Sequence, residues 1–189
     1  MTAPDILDGR ADLLLVADHA GSRVPTGVDL GVPAAELRRH IAVDIGIDPL
    51  TRALSRELDA PAVIATVSRL VADPNRDPNE PGFAPRESDG AIITGNQVLT
   101  AADRRERVRL HAAYHEAIEA ELDRRRARLF VSLHSFTDKL RTSPAAVRPW
   151  QVGLLYNEDG ATAARAIDWL RQKGLTVGDN EPYSGALTG

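Results

Sequence analysis

Two short apolar segments, each followed within two residues by a histidine, constrain the fold of this chain more than any other feature. Residues 13–17 lead directly into Asp18-His19, and residues 129–133 lead directly into His134. Short apolar runs bounded by polar or turn residues are typical of strands that are buried on both faces of a sheet. Strand and helix patterns alternate along the rest of the chain, which predicts an α/β fold.

Local signals mark further elements of that fold. An apolar run at 61–67 predicts a strand, and Asp48 followed by proline predicts the N-cap of a helix. Thr100 with Asp103 forms the pattern of a capping box, which predicts the start of a second, long helix. The intervening residues 72–98 show almost no periodicity, and an irregular segment of this length inside a compact protein is usually functional or disordered.

The composition is that of one globular domain of 189 residues, with 43% hydrophobic and 26% charged residues. No apolar run reaches the ~20 residues that span a bilayer, and the N-terminus lacks a signal-peptide pattern. We therefore expect no membrane partner. The absence of cysteine agrees with a reducing compartment, so we expect a cytoplasmic protein. The net charge of −4 and the aromatic content of 4% argue against nucleic acid as a partner. The oligomeric state stays open.

The two histidines indicate a metal site. In open α/β sheets, ligands bind beyond the carboxyl ends of the strands, and imidazole is a common ligand of zinc-like metals. A catalytic zinc site takes three protein ligands and leaves a position for water. We therefore predict a divalent metal, with Zn²⁺ as the expected ion, on His19, His134 and a carboxylate. Asp44, embedded in apolar sequence, is the candidate carboxylate and Asp18 its competitor; the alternative is two histidines that are hydrogen-bonded in a core.

A second group of polar residues predicts a site for a substrate carboxylate. Arg69 follows the predicted strand at 61–67, and Asn75-Arg76 comes a few residues later. The guanidinium group binds carboxylates in a bidentate fashion, and asparagine adds a directed donor. The alternative is a loop held by ion pairs such as Arg69–Asp73.

The long helix carries a histidine pair with one-turn spacing. Val108, His111, His115, Ile118 and Leu122 fall on one predicted stripe, so both imidazoles are expected to face inward. The residue after His111 is alanine, whereas a zincin motif carries glutamate there, which favours hydrogen bonding over metal ligation.

The order of these motifs resembles the N-formylglutamate amidohydrolase family. Matching motifs follow one another from residue 18 to residue 185, and the series is more specific than any one of them. The motifs are Asp18-His19-Ala20-Gly21, His40-x-x-x-Asp44-x-Gly46, Ser68-Arg69, Asp73-x-Asn75-Arg76, Ser88-Asp89-Gly90, Tyr114-His115, His134-Ser135-Phe136-Thr137 and Asn180-Glu181-Pro182-Tyr183-Ser184-Gly185.

The resemblance implies a three-layer α/β/α fold with a mixed, mostly parallel central sheet, related to the zinc-dependent exopeptidases. It also implies a small-molecule substrate, N-formyl-L-glutamate, hydrolysed to glutamate and formate. Exopeptidase relatives carry a glutamate ligand three residues after the first histidine, where this chain has Ser22, so Asp44 is kept as the third ligand. The adjacent Asn75-Arg76 resembles their carboxylate-binding pair, and Glu181 is the candidate for the catalytic proton shuttle.

Family members are expected to be longer than this chain. We therefore expect residues 1–189 to form a single amidohydrolase domain without a C-terminal strand and helix segment, which is a further possible source of the general base. Two other functions stay open. One is a metallo-amidase that acts on another N-acyl amino acid or a small peptide, and the other is a non-catalytic relative that binds an amino acid.

Overall fold

The computed structural model describes residues 2–125 and 127–185, and the chain divides into two compact units, Met1–Phe136 and Thr137–Gly189. The organisation as a single domain stays a prediction. Within the described residues, none of the helices combines the length and apolar character that crossing a membrane requires.

The described residues of the first unit form six strands and two α-helices. In chain order they are β1 (Asp5–Leu7), β2 (Leu13–Ala17), α1 (Ile47–Leu58), β3 (Ala62–Ile64), β4 (Glu87–Ser88), β5 (Ala91–Ile92), α2 (Ala101–Arg125) and β6 (Leu129–Ser132). The predicted strand at 61–67 is therefore shorter than expected. The irregular segment at 72–98 contains only the two-residue strands β4 and β5 and single turns of 3₁₀-helix.

Four of these strands form one mixed sheet in the order β1-β3-β2-β6. The central strand β2 runs parallel to both of its neighbours, with Leu15 opposite Ala62 on one side and Val131 on the other. The edge strand β1 runs antiparallel to β3. The predicted α/β class and the mixed sheet are confirmed, whereas the layering of the zinc-dependent exopeptidases stays a prediction.

A helix covers each face of this sheet. Side chains alternate along a strand, so neighbouring residues of β2 pack in opposite directions. Leu15 packs in a cluster with Ile47 of α1, and Leu14 packs in another cluster with Tyr114 and Ile118 of α2. Both faces of β2 are buried, which explains why its sequence is apolar throughout.

The two helices begin in different ways, and the start of α1 differs from the prediction. Gly46 occupies the N-cap of α1 with φ at 85°, so the prediction that Asp48 is the N-cap was wrong. Asp48 lies in the first turn instead, where it accepts a hydrogen bond of 2.9 Å from Arg52. The capping box at the start of α2 is confirmed, because Asp103 N–H donates to Thr100 Oγ1 at 3.1 Å and its carboxylate accepts from Thr100 N–H at 2.9 Å.

The second unit is a small parallel α/β arrangement. It contains β7 (Val152–Leu154), α3 (Gly160–Gln172) and β8 (Val177–Asp179), with β7 parallel to β8. The side chain of Asp159 caps α3 by accepting a hydrogen bond of 3.2 Å from the N–H of Thr162.

Candidate metal centre

Two neighbouring parallel strands place the two histidines side by side. His19 comes two residues after the end of β2, and His134 comes two residues after the end of β6. Because the strands are paired in parallel, their carboxyl ends meet at one edge of the sheet, and the centroids of the two imidazole rings lie 4.9 Å apart. The structure therefore brings together the two histidines that the sequence suggested.

Asp44 joins the histidines from the loop that precedes α1. Its Oδ2 atom lies 3.7 Å from Nδ1 of His19 and 3.1 Å from Nδ1 of His134. The ligand atoms of the three side chains all lie within 4.8 Å of one another. Two backbone hydrogen bonds hold Asp44 there: its N–H donates to the carbonyl of His19 at 2.8 Å, and the N–H of Ser135 donates to its carboxylate at 3.0 Å.

The chemistry of this group, the candidate metal centre, fits a divalent metal. Two imidazoles and one carboxylate form a donor set typical of zinc hydrolases. His19 is 2% exposed, yet its Nδ1 atom has no hydrogen-bond partner among the described residues. An unpartnered polar atom in the interior is costly, and a metal ion on this nitrogen would remove that cost. The side chain of His134 is 31% exposed, which leaves one side open to water or substrate.

Each histidine is bonded to a second carboxylate through its other nitrogen. Nε2 of His19 lies 2.7 Å from Asp73 Oδ1, and Nε2 of His134 lies 2.9 Å from Asp18 Oδ2. A carboxylate at Nε2 keeps a proton on that nitrogen, so Nδ1, which faces Asp44, is the nitrogen that a metal would bind after losing any proton it carries. Asp18 therefore supports His134 and does not join the three-residue group in which we expected it to compete with Asp44.

Hydrogen bonds keep the buried carboxylates ionised. Burial alone would raise the pKa of Asp73, but its neighbours, His19 first among them, lower that pKa to about 2. Burial acts the same way on Asp44 and Asp18, yet their interactions with His134 and His19 lower the pKa of each. Burial disfavours the charged form of His134, but the bonds to Asp18 and Asp44 outweigh it and raise its pKa to about 9. A proton on His134 thus compensates part of the local negative charge.

An apolar cluster under the loops positions the two aspartates that come from irregular segments. Ile41 and Ala42, just before Asp44, are buried together with Leu70 and Val71, which precede Asp73. The two loops are also joined directly, since the Ser68 hydroxyl donates to the carbonyl of Ala42 at 2.9 Å. The loops that carry Asp44 and Asp73 are therefore held together by shared apolar burial and by this hydrogen bond.

Arg69 lies beside the candidate metal centre. Its Nη2 atom donates to Asp73 Oδ2 at 2.8 Å, and its Nη1 atom is 3.6 Å from Asp44 Oδ1. The ion pair with Asp73, which we considered as the structural alternative for this residue, is thus present. The side chain is 29% exposed, so one edge of the guanidinium still faces solvent.

Asn75 and Arg76 belong to the same turn but extend toward solvent. The N–H of Asn75 donates to Asp73 Oδ1 at 2.9 Å, and the N–H of Arg76 donates to the carbonyl of Asp73 at 3.2 Å. The Arg76 side chain is 52% exposed, with Nη1 3.7 Å from Glu80. The turn is thereby tied to the residue that supports His19, while the described ion pair of the Arg76 guanidinium is a loose one at the surface.

Glu181, the predicted proton shuttle, is an exposed residue of the second unit, two residues after β8. Its backbone is closely packed within that unit, because a Cβ atom on Gly178 would stand 2.6 Å from its carbonyl oxygen. Its catalytic role stays a prediction.

The buried face of α2 differs from the predicted stripe. The buried residues are Arg107, Leu110, Tyr114, Ile118 and Glu121. Ile118 is common to both sets, and the other four buried residues each come one position before the predicted one, because the charged Arg107 and Glu121 were not expected to be buried. His111 and His115 are consequently half-buried at its margin, where Nε2 of His115 bonds to the carbonyl of Pro74 at 2.9 Å.

The outer contacts of Asp18 were not predicted from the sequence. The hydroxyl of Tyr114 donates to Asp18 Oδ1 at 2.7 Å, and the hydroxyl of Ser132 donates to Asp18 Oδ2 at 2.8 Å. The Tyr114-His115 motif of the family resemblance pointed to this tyrosine, but it did not indicate what the tyrosine does.

The chain is similar to known proteins along almost its whole length. The sequence model of the N-formylglutamate amidohydrolase family matches residues 11–189. Among solved structures, a gene product of Agrobacterium tumefaciens is 30% identical with a TM-score of 0.88, over 97% of this chain and 75% of that one. The N-formylglutamate amidohydrolase of Ralstonia eutropha is 26% identical with a TM-score of 0.69, over 98% of this chain and 78% of that one. No curated protein matches the chain.

Proposed function

Because the chain belongs to the N-formylglutamate amidohydrolase family, we propose that it is a metal-dependent hydrolase of N-formyl-L-glutamate. The reaction adds water across the formyl C–N bond and releases L-glutamate and formate. The observation that carries the proposal is the convergence of His19, Asp44 and His134 at the carboxyl ends of two parallel strands. The family and the similar Ralstonia eutropha enzyme support the substrate.

In this proposal the metal is a divalent ion, Zn²⁺, held by His19, Asp44 and His134. Such an ion supplies Lewis acidity, which makes water a stronger nucleophile near neutral pH and polarises a carbonyl group. The residues around it do the positioning. Asp73 and Asp18 hold the two imidazoles with Nδ1 facing Asp44.

Substrate orientation is assigned to the two arginines and Asn75. N-formyl-L-glutamate carries two carboxylates, and guanidinium groups bind carboxylates well. Arg69 is committed to Asp73 on one edge and offers its solvent-facing edge beside Asp44. Arg76 is the more available of the two, since its nearest acidic partner is 3.7 Å away. We keep Glu181 as the residue that moves the proton to the leaving amine, to be tested by Glu181→Gln.

Formate release is the direct test. The protein is stripped with a chelator, assayed with N-formyl-L-glutamate, and assayed again after Zn²⁺ is restored. Activity that is lost on stripping and returns on reloading supports the proposal. Activity that survives stripping contradicts the metal dependence and leaves the hydrolysis standing. His134→Ala, at the most exposed ligand position, should abolish the zinc-dependent activity while the fold, followed by circular dichroism, is retained.

The exposed arginines favour an acidic substrate without selecting glutamate. The same assay is therefore run with N-acetyl-L-glutamate, N-formyl-L-aspartate and N-formyl-L-leucine as matched substrates. A kcat/KM that is highest for another acyl group or amino acid would reassign the substrate. Binding of L-glutamate without turnover of any member of the panel would favour the non-catalytic alternative.

A further inference from the structure

We propose that Tyr114 is a positioning residue for the metal centre, acting through Asp18 to fix the imidazole of His134 and thereby to set the affinity for Zn²⁺. The inference rests on the proposed function, because it requires that His134 bind a metal. It concerns a residue of α2 that touches neither the candidate ligand atoms nor, in our proposal, the substrate.

A continuous line of hydrogen bonds joins Tyr114 to the metal-facing nitrogen. The tyrosine hydroxyl donates to Asp18 Oδ1 at 2.7 Å. The other oxygen of Asp18 accepts from His134 Nε2 at 2.9 Å, and His134 presents Nδ1 to Asp44 at 3.1 Å. Ser132 also donates to Asp18 Oδ2, at 2.8 Å, so the two carboxylate oxygens have different partners. The tyrosine is the described side chain that holds Oδ1.

The surroundings of Tyr114 give its hydroxyl a specific purpose. The residue is 4% exposed and packs in an apolar cluster between β2, β3 and α2. A hydroxyl group in such a place costs free energy unless it is bonded, and phenylalanine would satisfy the packing equally well. The hydroxyl crosses the apolar layer and meets an ionised carboxylate, which makes the bond charge-assisted. The bond stops Asp18 from rotating about its side-chain torsion.

Fixing Asp18 fixes the imidazole in turn. An ionised carboxylate at Nε2 selects the tautomer with the lone pair on Nδ1, and it also sets the plane of the ring. Removing the direct outer partner of a metal-bound histidine typically weakens metal affinity by about 10–100-fold. Tyr114 lies one bond further out, so we expect loss of its hydroxyl to weaken Zn²⁺ binding by about tenfold, the lower end of that range.

The test compares two tyrosine-to-phenylalanine variants. In Tyr114→Phe the hydroxyl on Asp18 is lost. In Tyr156→Phe a hydroxyl that donates to Asp179 Oδ1 at 2.8 Å is lost, so the same chemical change is made at an aspartate that is not among the described partners of either histidine. Zn²⁺ affinity is measured by competition with a chromophoric chelator, and the Tm of each metal-free protein is recorded. We expect about tenfold weaker binding for Tyr114→Phe and unchanged binding for Tyr156→Phe.

A double-mutant cycle separates positioning from general stabilisation. If Tyr114 acts through Asp18, its substitution should change zinc affinity in the wild-type background and have no further effect in Asp18→Ala, where the acceptor of its hydroxyl is gone. Zinc affinity of Tyr114→Phe within twofold of wild type, or an equal loss in both backgrounds, would overturn the inference and leave the proposed function intact. A wild-type protein that binds no Zn²⁺ would overturn both. If Tyr114→Phe fails to fold, Ser132→Ala tests Asp18 from its other oxygen: unchanged affinity there counts against positioning through Asp18.

Discussion

Asp73→Asn is the substitution for which the structure gives the sharpest expectation. Asp73 is 3% exposed and its carboxylate accepts three hydrogen bonds, from the Nε2 of His19 at 2.7 Å, from Arg69 at 2.8 Å and from the N–H of Asn75 at 2.9 Å. Asparagine has the same shape but no charge, and its amide nitrogen can only donate. The substitution therefore keeps the packing but removes the negative charge and one acceptor oxygen. At least one of the two side-chain donors, His19 or Arg69, then loses its acceptor.

The magnitude follows from what each donor loses. A hydrogen bond to a charged group contributes about 1.5–3 kcal/mol, and breaking a buried pair costs more, about 3–5 kcal/mol. Arg69 can turn its partly exposed guanidinium to water, which reduces its share, whereas His19 is fully enclosed. We expect the free energy of unfolding of the metal-free protein to fall by about 3 kcal/mol, and zinc affinity to fall by about 10–100-fold as His19 loses the negative charge of its outer partner.

Two measurements on one pair of variants check this reasoning. Urea unfolding of chelator-treated protein gives the change in stability, and chelator competition gives the change in zinc affinity. Asp77→Asn is the matched control. Like Asp73, Asp77 accepts the N–H of the asparagine two residues later, at 2.7 Å, but it is exposed and its described hydrogen bonds include none to a histidine. If Asp73→Asn were as stable as wild type and bound Zn²⁺ equally well, Asp73 would not be the support of His19 that we infer.

Three other predictions follow from single features. Because the pKa of His134 is raised from 6.5 to about 9, its contribution to stability is complete below pH 6.5 and is lost as the pH rises through 9. Urea unfolding of metal-free protein should show this fall in the free energy of unfolding, and His134→Gln should reduce it. An equal dependence of that free energy on pH in both proteins would contradict the prediction. Arg76→Ala should raise KM for N-formyl-L-glutamate about tenfold and leave kcat nearly unchanged. The Tm should also change little, because the ion pair that is lost with Glu80 is a loose surface pair. A change in kcat alone would argue against a role of Arg76 in substrate binding. Thr100→Ala, which removes half of the capping box with Asp103, should cost about 1 kcal/mol in urea unfolding without changing formate release, and no loss of stability would show that this cap does not support α2.

The sequence was sufficient for the fold class and for the two histidines because both depend on local patterns. The run 13–17 is apolar because β2 is covered on both faces, and a polar residue just past such a strand has to lie at the sheet edge. The start of α1 was misplaced because Gly46, which adopts a positive φ before the helix, carried no side-chain signal to compete with Asp48. The stripe on α2 was displaced because Arg107 and Glu121 are buried despite their charge.

The support of the two histidines could not be predicted, since it joins residues that are distant along the chain. Asp73 meets His19 across 54 residues, and Tyr114 meets Asp18 across 96. From the sequence alone, an aspartate four residues after Arg69 indicated a local ion pair, which is present but is only one of the bonds Asp73 makes. Periodicity identifies which face of an element is buried, but it does not reveal which polar group is met on that face.

The alternation along β2 continues for two residues past the end of the strand, and this has a consequence for how the protein can change. Asp18 lies on the face toward α2 and supports His134, while the next residue, His19, is the second histidine of the candidate metal centre. Inserting or deleting one residue within residues 13–17 would break this alternation, so that either the leucines of β2 or the pair Asp18 and His19 would face the wrong side of the sheet. A change in the length of β2 would therefore remove either the packing of the strand between its two helices or the placement of the two histidines, and either loss would end the proposed activity.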